Sequence, residues 1–194
     1  MLILASNSPR RKEILKMLGF DFVIRPSDCD ETVCPGMAPS QIVCELAERK
    51  ARSVFCGRDE VVLGSDTVVA IDGCVLGKPA DEQDAVSMLQ RLSGRCHSVF
   101  TGVCITNGIK TETVFVEARV YFKPIDLETI KQYVQTGEPM DKAGAYGIQG
   151  LGGKYIDKIE GDYYAVMGLP STVTKELLID FGLLQKKRDG NKNE

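Results

Sequence analysis

The sequence predicts an α/β or α+β fold built on a mixed sheet, and three observations point to it. A short apolar run at residues 2–5 leads through Ser8-Pro9 into a helical pattern, the strand-loop-helix unit from which parallel sheets are built. Later β-patterned runs meet at Asp72-Gly73 and again at Asn107-Gly108, both dipeptides of tight hairpins. Hairpins pair strands antiparallel and strand-helix units pair them parallel, so a chain carrying both predicts a mixed sheet with flanking helices.

In order along the chain, residues 2–5 read as a buried strand. Ser8 is placed to N-cap a helix with Pro9 at its first position; Ile14, Leu15 and Leu18 give helical spacing, and Gly19 ends it. Residues 40–55 predict a second, amphipathic helix. Ile42, Val43, Leu46, Ala47, Ala51 and Val54 lie on one side, Glu45, Glu48 and Arg49 on the other, and Lys50 ends the polar face as a surface lysine. Residues 61–71 form a strand rich in β-branched side chains, interrupted by Gly64-Ser65-Asp66-Thr67, with residues 74–76 as its hairpin partner. Asp81 caps a helix running to Leu92 and ended by Gly94. Residues 97–106 and 111–122 are long strands, and residues 126–134 a helix through Leu127, Ile130 and Val134. Six glycines between residues 137 and 153 exclude a helix or a central strand and predict a long functional loop. Residues 155–159 and 163–166, flanking Gly161-Asp162, predict a third hairpin, and residues 171–181 a last helix.

The 194 residues, 43% hydrophobic and 26% charged, supply a packed core of ordinary size. They predict one domain over residues 1–185 with a charged tail over 186–194. No run is long and apolar enough for a membrane span, and no basic leader precedes an apolar stretch, so neither a membrane protein nor a signal peptide is expected. The formal charge is −3, which excludes a surface built to hold nucleic acid and requires a local cation cluster for any anionic ligand.

Seven cysteines, an odd number with no C-x-x-C pair, read as reduced thiols acting as small apolar residues in a cytoplasmic protein. The single histidine, His97, leaves little room for a zinc site or for Ser-His-Asp or Cys-His catalysis, and reads as a strand-edge or supporting residue. Carboxylates, lysines and arginines must carry any chemistry.

Ser6-x-Ser8-Pro9-Arg10-Arg11 gathers two hydroxyls, two guanidiniums and a helix N-terminus. Cations there oppose the helix dipole, and an anionic ligand would reverse that sign; read structurally, the segment is a Ser-Pro cap followed by solvated arginines. Asp66 places an acid in an apolar strand, where it must be paired, hydrogen-bonded or on a metal. Lys50, Lys78 and Glu31 are anonymous singly, and their value depends on whether the fold gathers them near Asp66. Gln149, between glycines, offers an amide suited to a base edge or to tying down its own loop.

Ser6-x-Ser8-Pro9-Arg10-Arg11, Gly64-Ser65-Asp66-Thr67, Gly77-Lys78-Pro79 and residues 141–150 together, in this order and spacing, resemble the Maf family of nucleoside triphosphate pyrophosphatases over residues 2–181. The resemblance implies an α/β fold similar to inosine triphosphate pyrophosphatases, with two lobes around a cleft. It implies hydrolysis of a nucleoside triphosphate to the monophosphate and pyrophosphate with a divalent cation, Mg²⁺ or Mn²⁺. On the family pattern Asp66 accepts a proton from the attacking water. Ser8, Arg11, Lys50 and Lys78 surround the triphosphate, and Glu31 with Asp66 helps hold metal. Arg10, Thr67 and Gln149 match the specificity positions of the subgroup acting on dTTP and UTP; a sister subgroup acting on 7-methyl-GTP carries Trp, Gln and Glu there. One departure is Ser65, where the pyrimidine subgroup usually carries Ala. Members are often homodimers. The competing expectations are a nucleotide-binding regulator of septum formation with incidental hydrolysis, and a pyrophosphatase for modified purine nucleotides.

Overall fold

A computed structural model describes residues 1–57 and 59–183; the tail expected over residues 186–194 lies outside them. Among the described residues, seven strands share one sheet: β1 (Leu2–Leu4), β2 (Phe22–Ile24), β3 (Val61–Ile71), β4 (Cys74–Leu76), β5 (Cys96–Thr106), β6 (Thr111–Phe122) and β7 (Ile156–Glu160). The order is β2-β1-β3-β5-β6-β7, with β4 added to β3. β1 runs parallel to β2 and β3, and all other pairs are antiparallel, so the sheet is mixed as expected. Six α-helices of the described residues flank it: α1 (Pro9–Met17), α2 (Pro39–Val54), α3 (Glu82–Leu92), α4 (Leu127–Gln135), α5 (Tyr163–Met167) and α6 (Ser171–Asp180). No described helix is long and apolar enough to cross a membrane.

Period-two alternation divides the strands between two faces. Even-numbered Val62 and Cys104, with Ile3, pack under α2 beside Ala47, Ala51 and Val54. Odd-numbered Leu63, Val103 and Ile105 pack on the other face against Ile14 and Leu15 of α1 and Leu177 and Leu178 of α6. Further along that second face, Val69, Ile71 and Val99 pack instead with Leu89 and Leu92 of α3 and Ile130 of α4. Two apolar bodies thus grip opposite ends of the same long strands. Between them the odd positions are polar: Ser65, Thr67 and Thr101. This polar waist divides the fold into two lobes.

Capping residues behave as their chemistry dictates. Ser8, Asp81 and Asp126 side chains accept from the first-turn amides of α1, α3 and α4. Asp72 and Gly73 both take positive φ, 53° and 71°, the requirement of the tight hairpin that joins β3 to β4. The third expected hairpin is absent. Asp162 accepts from the amides of Tyr164 at 2.7 Å and Ala165 at 3.3 Å, an N-cap, and residues 163–167 wind into α5. A cap outweighed a short apolar alternation. The Gly64–Thr67 stretch does not interrupt β3 either; it pairs with β5 throughout.

The cysteines correct another expectation. All seven are unpaired, but only Cys104 is buried, while Cys34, Cys56, Cys74 and Cys96 are exposed and do not act as apolar filling.

His97 lies inside the sheet rather than at its edge, with Nε2 2.8 Å from the Tyr146 hydroxyl and its ring edge-on to Phe122. Burial pushes its pKa from the ordinary 6.5 down to about 4. The unfolded chain therefore takes up this proton near pH 6.5, and the folded chain only near pH 4. Stability is complete above pH 6.5 and falls as pH drops through this window, by up to ~3 kcal/mol from this group. Urea midpoints at pH 7.5 and 4.5 should separate further for the parent protein than for His97→Gln, which keeps a neutral hydrogen-bonding side chain. Equal separations would remove His97 as the cause.

Candidate active site

The site begins at a gap in the sheet. β1 covers one edge of β3 only as far as Leu63, and β4 covers the same edge only from Val69, because β5 occupies the other edge. Residues 64–68 are therefore left without a neighbouring strand on that side, just beyond the carboxyl end of β1. That is where open α/β sheets bind ligands. The chain leaving β1 turns there through Ser6, Asn7 and Ser8 into α1. A cleft of about 700 Å³ fills the gap.

Two constellations face this cleft from opposite sides of β3. Asp66, on the α2 side, is buried, and its Oδ1 accepts from Lys50 Nζ at 2.7 Å. Lys50 Nζ also lies 3.0 Å from Glu31 Oε1, so one ammonium joins two carboxylates. Lys50 is 9% exposed and not on the polar face: it follows Leu46 and precedes Val54 by one helical turn each, within the apolar stripe of α2. The expectation of a surface lysine is corrected. A lysine there must find a carboxylate, because an unpaired buried charge is costly. Glu31 comes from the loop between β2 and α2 and remains half exposed.

On the opposite side of β3, Arg11 is spread over three neutral acceptors. Nε donates to the Gly168 carbonyl at 2.9 Å, Nη1 to Ser6 Oγ at 3.2 Å and Nη2 to Thr67 Oγ1 at 3.4 Å. Among the described residues it has no carboxylate within ion-pair distance. Burial lowers its pKa, and the more distant charge of Asp66 partly offsets this. A guanidinium so placed fits an anion supplied by a ligand. The acceptors are themselves fixed. Ser65 Oγ donates to the Gly168 carbonyl at 2.9 Å, and Thr67 Oγ1 is 2.9 Å from Thr101 Oγ1, which donates to Ala165 at 2.8 Å. Ser65 thus points away from Asp66 and shares an acceptor with Arg11, a bond that alanine could not make.

The structure brings Ser8, Arg10, Arg11, Glu31, Lys50, Asp66, Thr67 and Lys78 to one cleft. Gln149 is not among its lining residues; it is exposed beside lining Ile148, and its Nε2 donates to Glu13 Oε2 at 3.4 Å. Lys142, within the 141–150 motif but given no role on the sequence, also lines the cleft, held by the Glu138 carbonyl at 2.5 Å and Asp141 at 2.6 Å. Five cations face three carboxylates in the cleft, an excess of positive charge within a protein of net charge −3. The local cluster that the acidic composition required is present.

Glu138 gave no sequence signal. Its carboxylate accepts from the amides of Leu151 at 2.9 Å and Gly152 at 3.1 Å and from Tyr133 Oη at 2.8 Å. The Tyr133 oxygen in turn accepts from the Gly147 amide at 3.2 Å. Desolvation works against its charge, but the bonds from Leu151, Gly152 and Tyr133 prevail and its pKa is lowered. The glycine-rich loop, a run of short 3₁₀ turns, folds onto this acid, and a Cβ at Gly152 would meet the Tyr133 hydroxyl at 2.5 Å.

Asp66 and Glu31 are hard oxygen donors brought together by the Lys50 ammonium that both contact. They fit a Mg²⁺ or Mn²⁺ ion that takes its remaining ligands from phosphate and water. They do not make a cage alone, since no cluster of three or more metal-ligating side chains exists among the described residues.

A family model described as Maf-like protein matches residues 1–181. Proteins named dTTP/UTP pyrophosphatase are similar to this chain across nearly their whole lengths. That of Symbiobacterium thermophilum is 50% identical, covering 93% of this chain and 94% of the relative. That of Pseudoalteromonas atlantica is 49% identical, covering 92% and 95%. That of Thermococcus gammatolerans is 50% identical, covering 91% and 95%. A solved HAM1 protein from Coxiella burnetii is 16% identical with a TM-score of 0.46, covering 62% of this chain and 72% of that one, too slight a likeness to carry an argument. On the match over residues 1–181 and these full-length relatives, the chain belongs to the Maf family.

Proposed function

We propose that the cleft binds a pyrimidine nucleoside triphosphate, dTTP or UTP, and hydrolyses it to the monophosphate and pyrophosphate. The observation that carries this reading is the pairing of a half-buried Arg11, which has no carboxylate partner among the described residues, with a buried Asp66 in one cation-rich cleft. The name shared by relatives about half identical to this chain supports the same substrate class. Attack of water on a triphosphate is limited by charge repulsion and positioning rather than by covalent difficulty. Arg11, Lys78 and Lys142, with Ser8 at the start of α1, offset the charge of the phosphate oxygens and of the departing pyrophosphate. Asp66 Oδ1 is held by Lys50, and Oδ2 has no partner among the described residues. Oδ2 orients the water and takes its proton as the new P–O bond forms and the bond to pyrophosphate breaks. A divalent ion held by Asp66 and Glu31 supplies further neutralisation of phosphate charge when bound. Arg10, Thr67 and Gln149 select the base in this reading. Thr67 acts partly through Arg11, because its hydroxyl is engaged by Arg11 and Thr101.

A panel of nucleoside triphosphates with Mg²⁺ or Mn²⁺, scoring pyrophosphate against phosphate, tests this. Pyrophosphate released fastest from dTTP and UTP is expected. Phosphate as the product would make the protein a phosphatase. A preference for modified purine nucleotides would move it to another substrate class, and tight binding without turnover would favour a nucleotide-sensing role.

A further inference from the structure

The pairing of Gln149 with Glu13 joins the two walls of the cleft mouth. Glu13 stands on α1, whose Ile14 and Leu15 belong to one apolar body. Gln149 stands on the glycine-rich loop, whose Ala145 and Tyr146 belong to the other, while Ile148 beside it packs against the body of α1. Ile148 lines the cleft, and Gln149 follows it at the exposed rim, with its loop fixed from behind by Glu138. Glu13 has no ion pair among the described residues, and Gln149 Nε2 donates to it at 3.4 Å.

An ionised carboxylate only accepts hydrogen bonds, whereas a Gln amide presents an acceptor at one end and donors at the other. Facing Glu13, the amide must turn its NH₂ toward α1. Its Oε1 is then the end left for a ligand. Uracil and thymine carry a donor at N3, and cytosine carries an acceptor there. An outward Oε1 therefore matches the first two bases and opposes the third.

We propose that Glu13 is a positioning residue for base selection, holding the Gln149 amide so that Oε1 meets the N3–H of uracil or thymine and cytosine is rejected. The inference rests on the reading of the cleft as a pyrimidine nucleotide site. Glu13→Gln keeps the shape and lets either amide end face α1, so Gln149 turns over and accepts cytosine.

The experiment measures kcat/KM for UTP and CTP, and affinity for their non-hydrolysable α,β-methylene analogues, in parent protein, Glu13→Gln, Gln149→Ala and the double variant. The UTP:CTP ratio should fall about tenfold in Glu13→Gln, the scale of one misdirected hydrogen bond in a base-reading contact. The thermal midpoint should not move, because Glu13 is exposed on its helix. In the Gln149→Ala background the Glu13 substitution should leave the ratio where it is. An unchanged ratio in Glu13→Gln, or an equal fall without Gln149, overturns the inference. A parent protein that binds the UTP analogue over the CTP analogue but releases no pyrophosphate sinks the hydrolase reading, and the binding ratios still decide the role of Glu13.

Discussion

Asp66→Asn is expected to lower single-turnover release of pyrophosphate by about 10²-fold or more, the scale of a lost general base. Asn is nearly isosteric and its Oδ1 can still accept from Lys50 Nζ, which lies 2.7 Å from the present oxygen and 3.0 Å from Glu31. The buried ammonium keeps a carboxylate partner, so the fold has little reason to fail. What disappears is the oxygen able to take a proton from water. The cleft also gains a unit of positive charge on top of its existing excess, which favours a polyanion electrostatically. Affinity for the α,β-methylene analogue of UTP, measured by calorimetry, should accordingly stay within a few fold of the parent. Near-normal turnover would remove Asp66 as the proton acceptor. A parallel collapse of binding would make it a binding group instead.

Asp66 was legible in the sequence because an acid within an apolar strand has no inexpensive explanation, and the strand around it was legible to both ends. Lys50 carried a signal of the same kind. Val43, Leu46 or Ala47, Lys50 and Val54 follow helical spacing, so the lysine interrupts an apolar stripe rather than ending a polar face. Arg11 was legible only as one of two adjacent arginines; its separation from every described carboxylate depends on how α1 and Gly168 meet. Glu138 and Glu13 were not legible at all. Glu13 meets a loop distant in sequence through a side-chain amide, and Glu138 binds backbone amides more than a dozen residues on within its own irregular loop; no local pattern encodes such contacts. The failed third hairpin has a different origin: Asp162 could serve a turn or an N-cap, and only the amides of Tyr164 and Ala165 decide which.

Gly64→Ala should destabilise the fold and disable the site together, because the same close approach serves both. Gly64 lies in β3 two residues before Asp66, on the face that α2 covers. A Cβ there would meet the Ala47 carbonyl, stand 2.7 Å from the Ala51 amide nitrogen and touch the Ala51 methyl at 3.0 Å. Gly102, opposite Asp66 on β5, makes a similar approach, with a Cβ 2.9 Å from the Cys44 amide. The two glycines form a trough that lets α2 settle with its backbone on the sheet, which is what brings Lys50 within 2.7 Å of Asp66. The obstacles are backbone atoms of a long helix, so no rotamer change relieves them and α2 itself must lift. Overpacking of this kind costs roughly 3 kcal/mol, at the upper end of the usual range. In a chain this size that is a fall of about 10 °C in thermal midpoint. Displacement of Lys50 from its carboxylates adds about a 10²-fold loss of turnover in whatever fraction folds. Gly57→Ala is the control, since a Cβ there meets nothing within 4 Å. It should leave both midpoint and turnover unchanged. A Gly64→Ala protein with parental midpoint but impaired turnover would separate the placement of Lys50 from the stability of the fold. Parental values of both would show that α2 does not need this contact to hold Lys50 against Asp66.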